Sequence, residues 1–260
     1  MHKREGVRML AASRKELLLD RLRSEGRIVA KDLAAEIGVS EDSIRRDLRE
    51  LDAAGLAVRV YGGALPASPA VVNYGARQSV ATESKQRIGR YAARLIEPGS
   101  TVLIDGGTTA LEIVRALPLE IECTIITHSP TVAAALLDHA AEVIILGGRL
   151  FKHSAVASGA ATAEAATAIS ADRFFLGVTG IHEHSGLTTG DSDEAAMKRV
   201  LASRASETYV LGSSEKVGAV SRYRVLPLDE VAAVIVDAAG PASQTLSALA
   251  GSGVRLLEAS

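Results

Sequence analysis

Two stretches of this chain hold polar side chains at spacings that suggest chemistry. The first is Gly38-Val-Ser-Glu-Asp-Ser-Ile-Arg-Arg-Asp-Leu-Arg49. Guanidinium groups pair with guanine edges or with phosphate, and hydroxyls reach either, so Ser40, Ser43, Arg45, Arg46 and Arg49 are candidates for nucleic-acid contact. The second is Asp105-Gly106-Gly107-Thr108-Thr109, placed directly after an apolar run. Glycines let the backbone approach a ligand, a following helix offers free N–H groups, and two hydroxyls add donors. That is the chemistry of an anion site, phosphate above all. It is not a Walker loop, because no Lys-Ser/Thr pair follows the glycines, and it lacks Gly-x-Gly-x-x-Gly spacing. Taken alone, each stretch also fits a plainer role: a solvated amphipathic helix, and a helix cap.

The elements around the first stretch favour the sharper role. Ile44, Leu48 and Leu51 follow at i, i+4, i+7, an apolar stripe that leaves Arg46 and Arg49 near the opposite side. Gly38 can take the positive φ that closes one helix, Ser40 can cap the next, and Glu41 and Asp42 sit at the positive end of its dipole. Ahead of it, Ser13 is placed to cap a helix in which Leu17, Leu18 and Leu22 share a face and which ends near Gly26. A second helix spans about Ala30 to Ile37 and has no capping side chain at its start. Behind it, Leu56 to Ala64 is β-rich and closes on Gly62-Gly63. Three helices and a small β wing over residues 13–64 make a winged helix-turn-helix. In it Lys31, Arg49, Arg59 and the Gly62 and Gly63 backbone are placed for phosphates.

Residues 1–12 read as a frayed tail, and the Pro/Ala/Ser-rich start of residues 65–80 as a connector. Residues 81–260 then alternate between apolar strands and Ala-rich helices. The strands are near Thr101–Ile104, Thr124–Thr127, Val143–Leu146, Arg173–Val178, Thr208–Leu211, Val231–Val236 and Val254–Leu257. Helical patterns fall near 82–96, 109–117, 130–138, 160–169, 193–204 and 242–249. This alternation predicts a mainly parallel α/β sheet. Ligands bind such sheets beyond the carboxyl ends of the strands. That rule selects Asp105–Thr109, Thr127–Ser129 with His128, Gly147–Arg149 and Gly212–Lys216, with Lys85, Lys198 and Lys216 as nearby cations.

Bulk composition sets looser bounds. The 260 residues are 47% hydrophobic and 23% charged, which predicts a globular chain long enough for two domains. Residues 1–60 hold 13 Lys/Arg against 11 Asp/Glu, so DNA binding has to come from local placement of Arg, not bulk charge. A single cysteine, Cys123, excludes an internal disulfide and fits a reducing compartment. No run approaches the roughly 20 apolar residues of a membrane span, and a soluble cytoplasmic protein is expected.

The run Val39-Ser40-x-x-Ser43-Ile44-Arg45-Arg46-Asp47-Leu48, followed by Leu51, Gly55, Arg59 and Gly62-Gly63-Ala64, resembles the N-terminal signature of DeoR-type bacterial transcriptional regulators. Ser43 stands for the usual Thr and Tyr61 for the usual His. The resemblance continues through Arg77, Glu83-Ser84-Lys85, Asp105 to Thr109, Gly147-Gly148, Asp172 with Phe174 to Gly177, Gly186-Leu187-Thr188, Glu194 with Lys198, and Lys216 with Gly218. It implies an effector domain similar in fold to ribose-5-phosphate isomerases and coenzyme A transferases, which senses a phosphorylated sugar or related metabolite. Carried over, the effector-binding residues are Lys85, Asp105, Gly107, Thr108, Thr109, Gly147, Gly148, Lys198 and Lys216. His128, a further candidate, stands where the family often has Asn, Thr179 where Asn or Asp is common, and Ser213 where Asp is usual. Glu215 adds a carboxylate that can occupy Lys216.

The resulting expectation is a repressor that binds a double-stranded DNA operator, is released by a phosphorylated metabolite, and works as a homodimer or higher homo-oligomer. The alternative is a sugar-phosphate isomerase with Asp105, Glu194 and Lys198 as acid and base groups. A metal reading on His182-Glu183-His184, with His128, His139 and His153 scattered elsewhere, is weaker than a solvated loop. No metal, cofactor or catalytic triad is expected.

Overall fold

The computed structural model describes residues 10–239 and 243–260. Of the tail expected over residues 1–12, residues 1–9 lie outside the described residues, and Ala11 and Ala12 open the first helix. Two compact units form: one runs through Ala67 and takes in Gly218–Val220, the other comprises Ser68–Val217 and Ser221–Ser260.

The first unit contains α1 (Ala11–Glu25), β1 (Ile28–Val29), α2 (Ala30–Ile37), α3 (Glu41–Ala53), β2 (Ala57–Val60) and β3 (Gly63–Pro66). Helix α1 starts two residues before Ser13 and has no side-chain cap, so Ser13 does not have the expected role. Gly26 and Gly38 close α1 and α2 with φ of 71° and 69°, values that cost an L-residue but not glycine. Leu18, Leu22, Leu33, Ile44, Leu48 and Leu51 make one buried cluster, and the wing packs on it through Ile28, Ala57 and Ala64. The wing is a three-stranded antiparallel sheet in the order β1-β3-β2.

The second unit begins inside the expected connector. Leu65 and Pro66 still pair with β2, and the chain then folds at once into a 3₁₀ turn (Pro69–Val71) and α4 (Tyr74–Arg77). The side chains of Ser68 and Asn73 cap these two turns. Pro, Ser and Asn in residues 65–80 therefore mark tight turns and not a free linker.

There follow α5 (Thr82–Ala93), β4 (Thr101–Ile104), α6 (Thr108–Ala116), β5 (Thr124–Thr127), α7 (Pro130–Ala135) and β6 (Glu142–Ile145). A hairpin, β7 (Arg149–Phe151) with β8 (Val156–Ser158), leads to α8 (Ala160–Thr167) and β9 (Ala171–Leu176). Strands β10 (Gly180–His182) and β11 (Gly186–Thr189) precede α9 (Ser192–Ala202) and β12 (Ala205–Gly212). Strand β13 (Tyr223–Arg224) joins β10 and β11 in a small sheet, and β14 (Ala233–Asp237), α10 (Ser243–Gly251) and β15 (Leu256–Ala259) finish the unit. Residue 242, the expected start of that last helix, lies outside the described residues.

The large sheet is parallel throughout, in the order β15-β14-β12-β9-β4-β5-β6. Alternate residues of each strand face opposite sides. Val102, Ile104, Ile125 and Phe175 pack with Ile88, Ile113 and Val132 of α5, α6 and α7. Leu103, Ile126, Phe174 and Leu176 pack with Ala166, Met197 and Leu249 of α8, α9 and α10. Burial on both faces is why these strands read as continuous apolar runs. After β4 the chain builds outward to β5 and β6, then returns to lay β9 against the other side of β4 and builds outward to β12, β14 and β15. The crevice between the carboxyl ends of β4 and β9 is thus the topological switch point, where ligands bind in such sheets. Among the described residues, no helix is long and apolar enough to cross a membrane.

Candidate functional site

In the first unit, Ser40 accepts the Ser43 backbone N–H at 3.3 Å, and the two hydroxyls lie 2.9 Å apart. Ser40 thus serves as the cap of α3. Arg45 donates from Nε (2.9 Å) and Nη2 (2.6 Å) to Glu41 one turn earlier, an ion pair within the helix. Arg46 and Arg49 are exposed on α3, as are Lys31 and Arg59 on their elements, and none has an ion pair among the described residues. Asp47 points the other way. It is buried and accepts both Nε and Nη2 of buried Arg14, the latter at 3.1 Å, which ties α1 to α3.

The two wing glycines have structural reasons of their own. Gly62 has φ of 80°, and its carbonyl accepts the Ala30 N–H at 2.8 Å. A Cβ on Gly63 would stand 1.7 Å from the Ile28 carbonyl oxygen, so only glycine allows β3 to lie this close to β1. Tyr61, between them and Val60, is fully exposed at the wing tip.

In the second unit a narrow cleft opens at the switch point, lined from β4 by Gly106 to Thr109, from β9 by Gly177 to Thr179, and by Arg77, Lys85, Ser154, Glu194, Lys198, Glu215 and Lys216. Gly107, with φ of 105°, turns the chain into α6, whose first N–H groups have no helical acceptor. Behind this lip Asp105 is wholly buried. Its Oδ1 accepts from Gly106 N (2.7 Å) and His128 Nε2 (2.8 Å), and its Oδ2 from Gly177 N (2.9 Å) and Lys198 Nζ (2.6 Å). Lys198 also meets Glu194 at 3.2 Å, and Glu194 accepts from Ser154 Oγ at 3.1 Å. His128 donates from Nδ1 to the Ala157 carbonyl at 2.9 Å. It supports Asp105 from behind and lines a neighbouring cavity with Arg149 and Phe151 instead of this cleft.

Burial and charge pull against each other here. Burial raises the Asp105 carboxyl, but Lys198 and His128 outweigh it and hold the group well below the usual carboxylate range. Burial lowers Lys198, and Asp105 with Glu194 reverses that, leaving the ammonium above its ordinary value. Lys216 has no such rescue. It donates to Thr109 Oγ1 (3.0 Å) and the Leu211 carbonyl (3.2 Å), and burial, only partly offset by Glu215, lowers it to about 8. Burial also lowers Lys85 and Arg77. The cleft thus presents cations short of negative charge around a helix N-terminus, which is an anion-binding arrangement.

Comparison with known proteins agrees with this division. A profile described as the DeoR-like helix-turn-helix domain matches residues 14–69, and one described as the DeoR C terminal sensor domain matches residues 80–238. The chain belongs to the DeoR family. A putative aga operon transcriptional repressor of Escherichia coli O157:H7 is 32% identical over 95% of this chain and 93% of its own. The glycerol-3-phosphate regulon repressor of Escherichia coli K12 is 30% identical over 87% of this chain and 90% of its own. Among solved structures, ribose 5-phosphate isomerase A from Methanocaldococcus jannaschii aligns over 52% of this chain and 54% of its own, with 17% identity and a TM-score of 0.39.

Within this DeoR-family sensor domain the expected residues do not all converge. Lys85, Gly107, Thr108, Thr109, Lys198 and Lys216 line the cleft; Asp105 lies buried behind its lip, and His128 supports Asp105 from outside the cleft. Gly147 and Gly148 are elsewhere. They turn the chain out of β6, where the Gly147 carbonyl accepts from Thr162 Oγ1 at 2.9 Å and a Cβ on Gly148 would collide with that hydroxyl at 2.0 Å. Close packing under α8 explains Gly148, whereas a Cβ on Gly147 would meet nothing within 4 Å. Glu215 does not occupy Lys216 as expected: its Oε1 accepts from Ser213 Oγ (2.9 Å) and lies 3.9 Å from Lys85. Arg77, Ser154 and Gly177 to Thr179 were not among the expected site residues, though Arg77 and Gly177 carry the family resemblance. His182 and His184 share a turn in which His182 Nδ1 accepts the His184 N–H at 3.1 Å.

Proposed function

We propose that this chain is a transcriptional repressor that reads a DNA operator through α3 and releases it when a phosphorylated sugar or polyol enters the sensor cleft. Lys216 carries the proposal: a buried ammonium hydrogen-bonded, among the described residues, to a hydroxyl and a carbonyl alone, beside the N-terminus of α6, is stabilised by an incoming phosphate. The names of the relatives, an aga operon repressor and a glycerol-3-phosphate regulon repressor, agree with a carbon-metabolite signal. Of the three groups an isomerase would need, Asp105 already accepts four donors and Glu194 and Lys198 pair with each other, so they suit positioning better than proton transfer. One winged helix reads only a few base pairs, so we further propose a homodimer or larger homo-oligomer on DNA.

The test is a thermal-shift screen of phosphorylated sugars and polyols against their unphosphorylated parents, followed by gel shifts on a duplex selected from a random pool. Phosphorylated compounds alone should raise the melting temperature, since binding stabilises by mass action, and a hit should release the duplex. A screen in which no phosphorylated compound shifts melting sinks the sensor assignment.

Two further outcomes are expected. Arg46→Ala should weaken the selected duplex by about 1–3 kcal/mol and relax preference at its guanine contact. Arg49→Ala and Arg59→Ala should instead weaken all sequences alike and shallow the salt dependence. These are separated by gel-shift titration on matched and scrambled duplexes at several salt concentrations.

The second outcome concerns pH. Lys216 titrates near 8 when folded, against about 10.4 for a free lysine. Between those values the unfolded chain holds more protons, so this group's contribution to stability rises with pH through that window. Phosphate affinity runs the other way, because the ligand needs the ammonium. Affinity should hold up to about pH 8 and then fall, by at most about tenfold per pH unit. Lys216→Arg, which stays charged, should abolish the decline in calorimetric titrations.

A further inference from the structure

The cleft also holds a buried acceptor that a phosphate cannot satisfy. The Glu215 side chain is 8% exposed; its Oε1 is fixed by Ser213, and its Oε2 has no hydrogen-bond partner among the described residues. Arg77 is its counterpart, with a buried Nε that also lacks a partner, and both side chains line the cleft. An orphaned buried acceptor is costly until it meets a donor. A phosphate dianion only accepts, so it suits Arg77, Lys85 and Lys216 and leaves Glu215 unmet. A hydroxyl both accepts and donates, and is the neutral group that satisfies an orphan donor and an orphan acceptor together.

We propose, on the reading that this cleft binds a phosphate ester, that Glu215 selects its ligand as a monophosphate of a neutral polyol or sugar. Glu215 accepts a hydrogen from a ligand hydroxyl and turns away bisphosphates and phosphorylated sugar acids, whose second anion would face its carboxylate. Discrimination of this kind rests on repulsion as well as attraction. Because the acceptor is held by Ser213 and the nearby Lys85 lies at 3.9 Å, beyond hydrogen-bonding distance, no neighbour neutralises it fully when the phosphate claims the cations.

The experiment uses the full chain and two matched pairs: sorbitol 6-phosphate with 6-phosphogluconate, and glycerol 3-phosphate with 3-phosphoglycerate. Each pair differs by a hydroxymethyl group against a carboxylate. Calorimetric titration should show the neutral member of at least one pair binding tenfold or more tighter to the wild type. Glu215→Gln, which keeps shape and loses charge, should shrink that ratio about tenfold, mainly by admitting the acid. Equal binding of both members to the wild type overturns the selection role and leaves the phosphate site standing. So does a ratio that Glu215→Gln does not change. Absence of binding by inorganic phosphate and by every ester overturns both. The wild-type comparison stands even if the variant fails to fold.

Discussion

A Lys198→Met variant is expected to lose about 3–5 kcal/mol of sensor-domain stability, as breaking a buried ion pair by removing one partner typically does. Lys198 is 3% exposed and is the ammonium shared by two buried carboxylates, Asp105 at 2.6 Å and Glu194 at 3.2 Å. Methionine fills the space and removes the charge, so the loss reads electrostatics and not a cavity. The pH dependence identifies the cause. In the wild type the Asp105 carboxyl is held below its ordinary value, so its contribution is present at neutral pH and is lost as pH falls. Without Lys198, burial dominates and raises that carboxyl, and the sign reverses: the variant recovers stability as the pH is lowered and Asp105 takes up a proton. Thermal denaturation followed by circular dichroism at pH 5 and pH 8 should show the larger deficit at pH 8. A double variant, Asp105→Asn with Lys198→Met, should regain part of the loss, because replacing both charges is far cheaper than stranding one. A single-variant deficit under about 1 kcal/mol, or one equal at both pH values, would refute the role of Lys198 as keystone of this network.

The same network shows what a linear chain reveals and conceals. Strands β4 and β5 were legible to the residue, since parallel strands buried on both faces become short apolar runs between turn residues. The switch-point rule then placed Asp105 to Thr109 at a ligand site from strand ends alone. The sequence does not disclose which strand lies beside β4. That β9 returns there, and brings Gly177 within 2.9 Å of Asp105, depends on a pairing across 72 residues. Strands β10, β11 and β13 and the β7–β8 hairpin leave no signal in the sequence because they are two to four residues long, too short to carry a period. Gly147 and Gly148 lie outside the cleft, and the reason differs. Gly148 marks close backbone approach, and the group that approaches it is the Thr162 hydroxyl. Glu215 and Lys216 are neighbours in sequence, yet one turns to Ser213 and the other to Thr109.

In the DNA-binding unit the largest effect is expected from Asp47→Ala, at a residue inside the Ile-Arg-Arg-Asp-Leu run that could be mistaken for a base contact. Asp47 is 2% exposed and holds the Arg14 guanidinium across 33 residues. The pair raises Arg14 through its hydrogen bond to Asp47, against the opposing effect of burial. Removing the carboxylate takes from a buried guanidinium the partner that ties α1 to α3, and breaking a buried pair in this way costs about 3–5 kcal/mol. A domain of about 60 residues has roughly 3–9 kcal/mol of total stability at 0.05–0.15 kcal/mol per residue, so this one change removes much or all of it. Operator binding should vanish together with the melting transition of the N-terminal unit, while a phosphorylated ligand still shifts the transition of the sensor domain. Arg46→Ala supplies the contrast, since loss of an exposed arginine that has no ion pair among the described residues should weaken DNA binding and leave both transitions in place. A conservative Asp47→Asn keeps one acceptor oxygen and should fall between the two. If Asp47→Ala instead abolished binding with the first transition unmoved, Asp47 would belong to the DNA surface and the buried pair would not be what holds α3 in place.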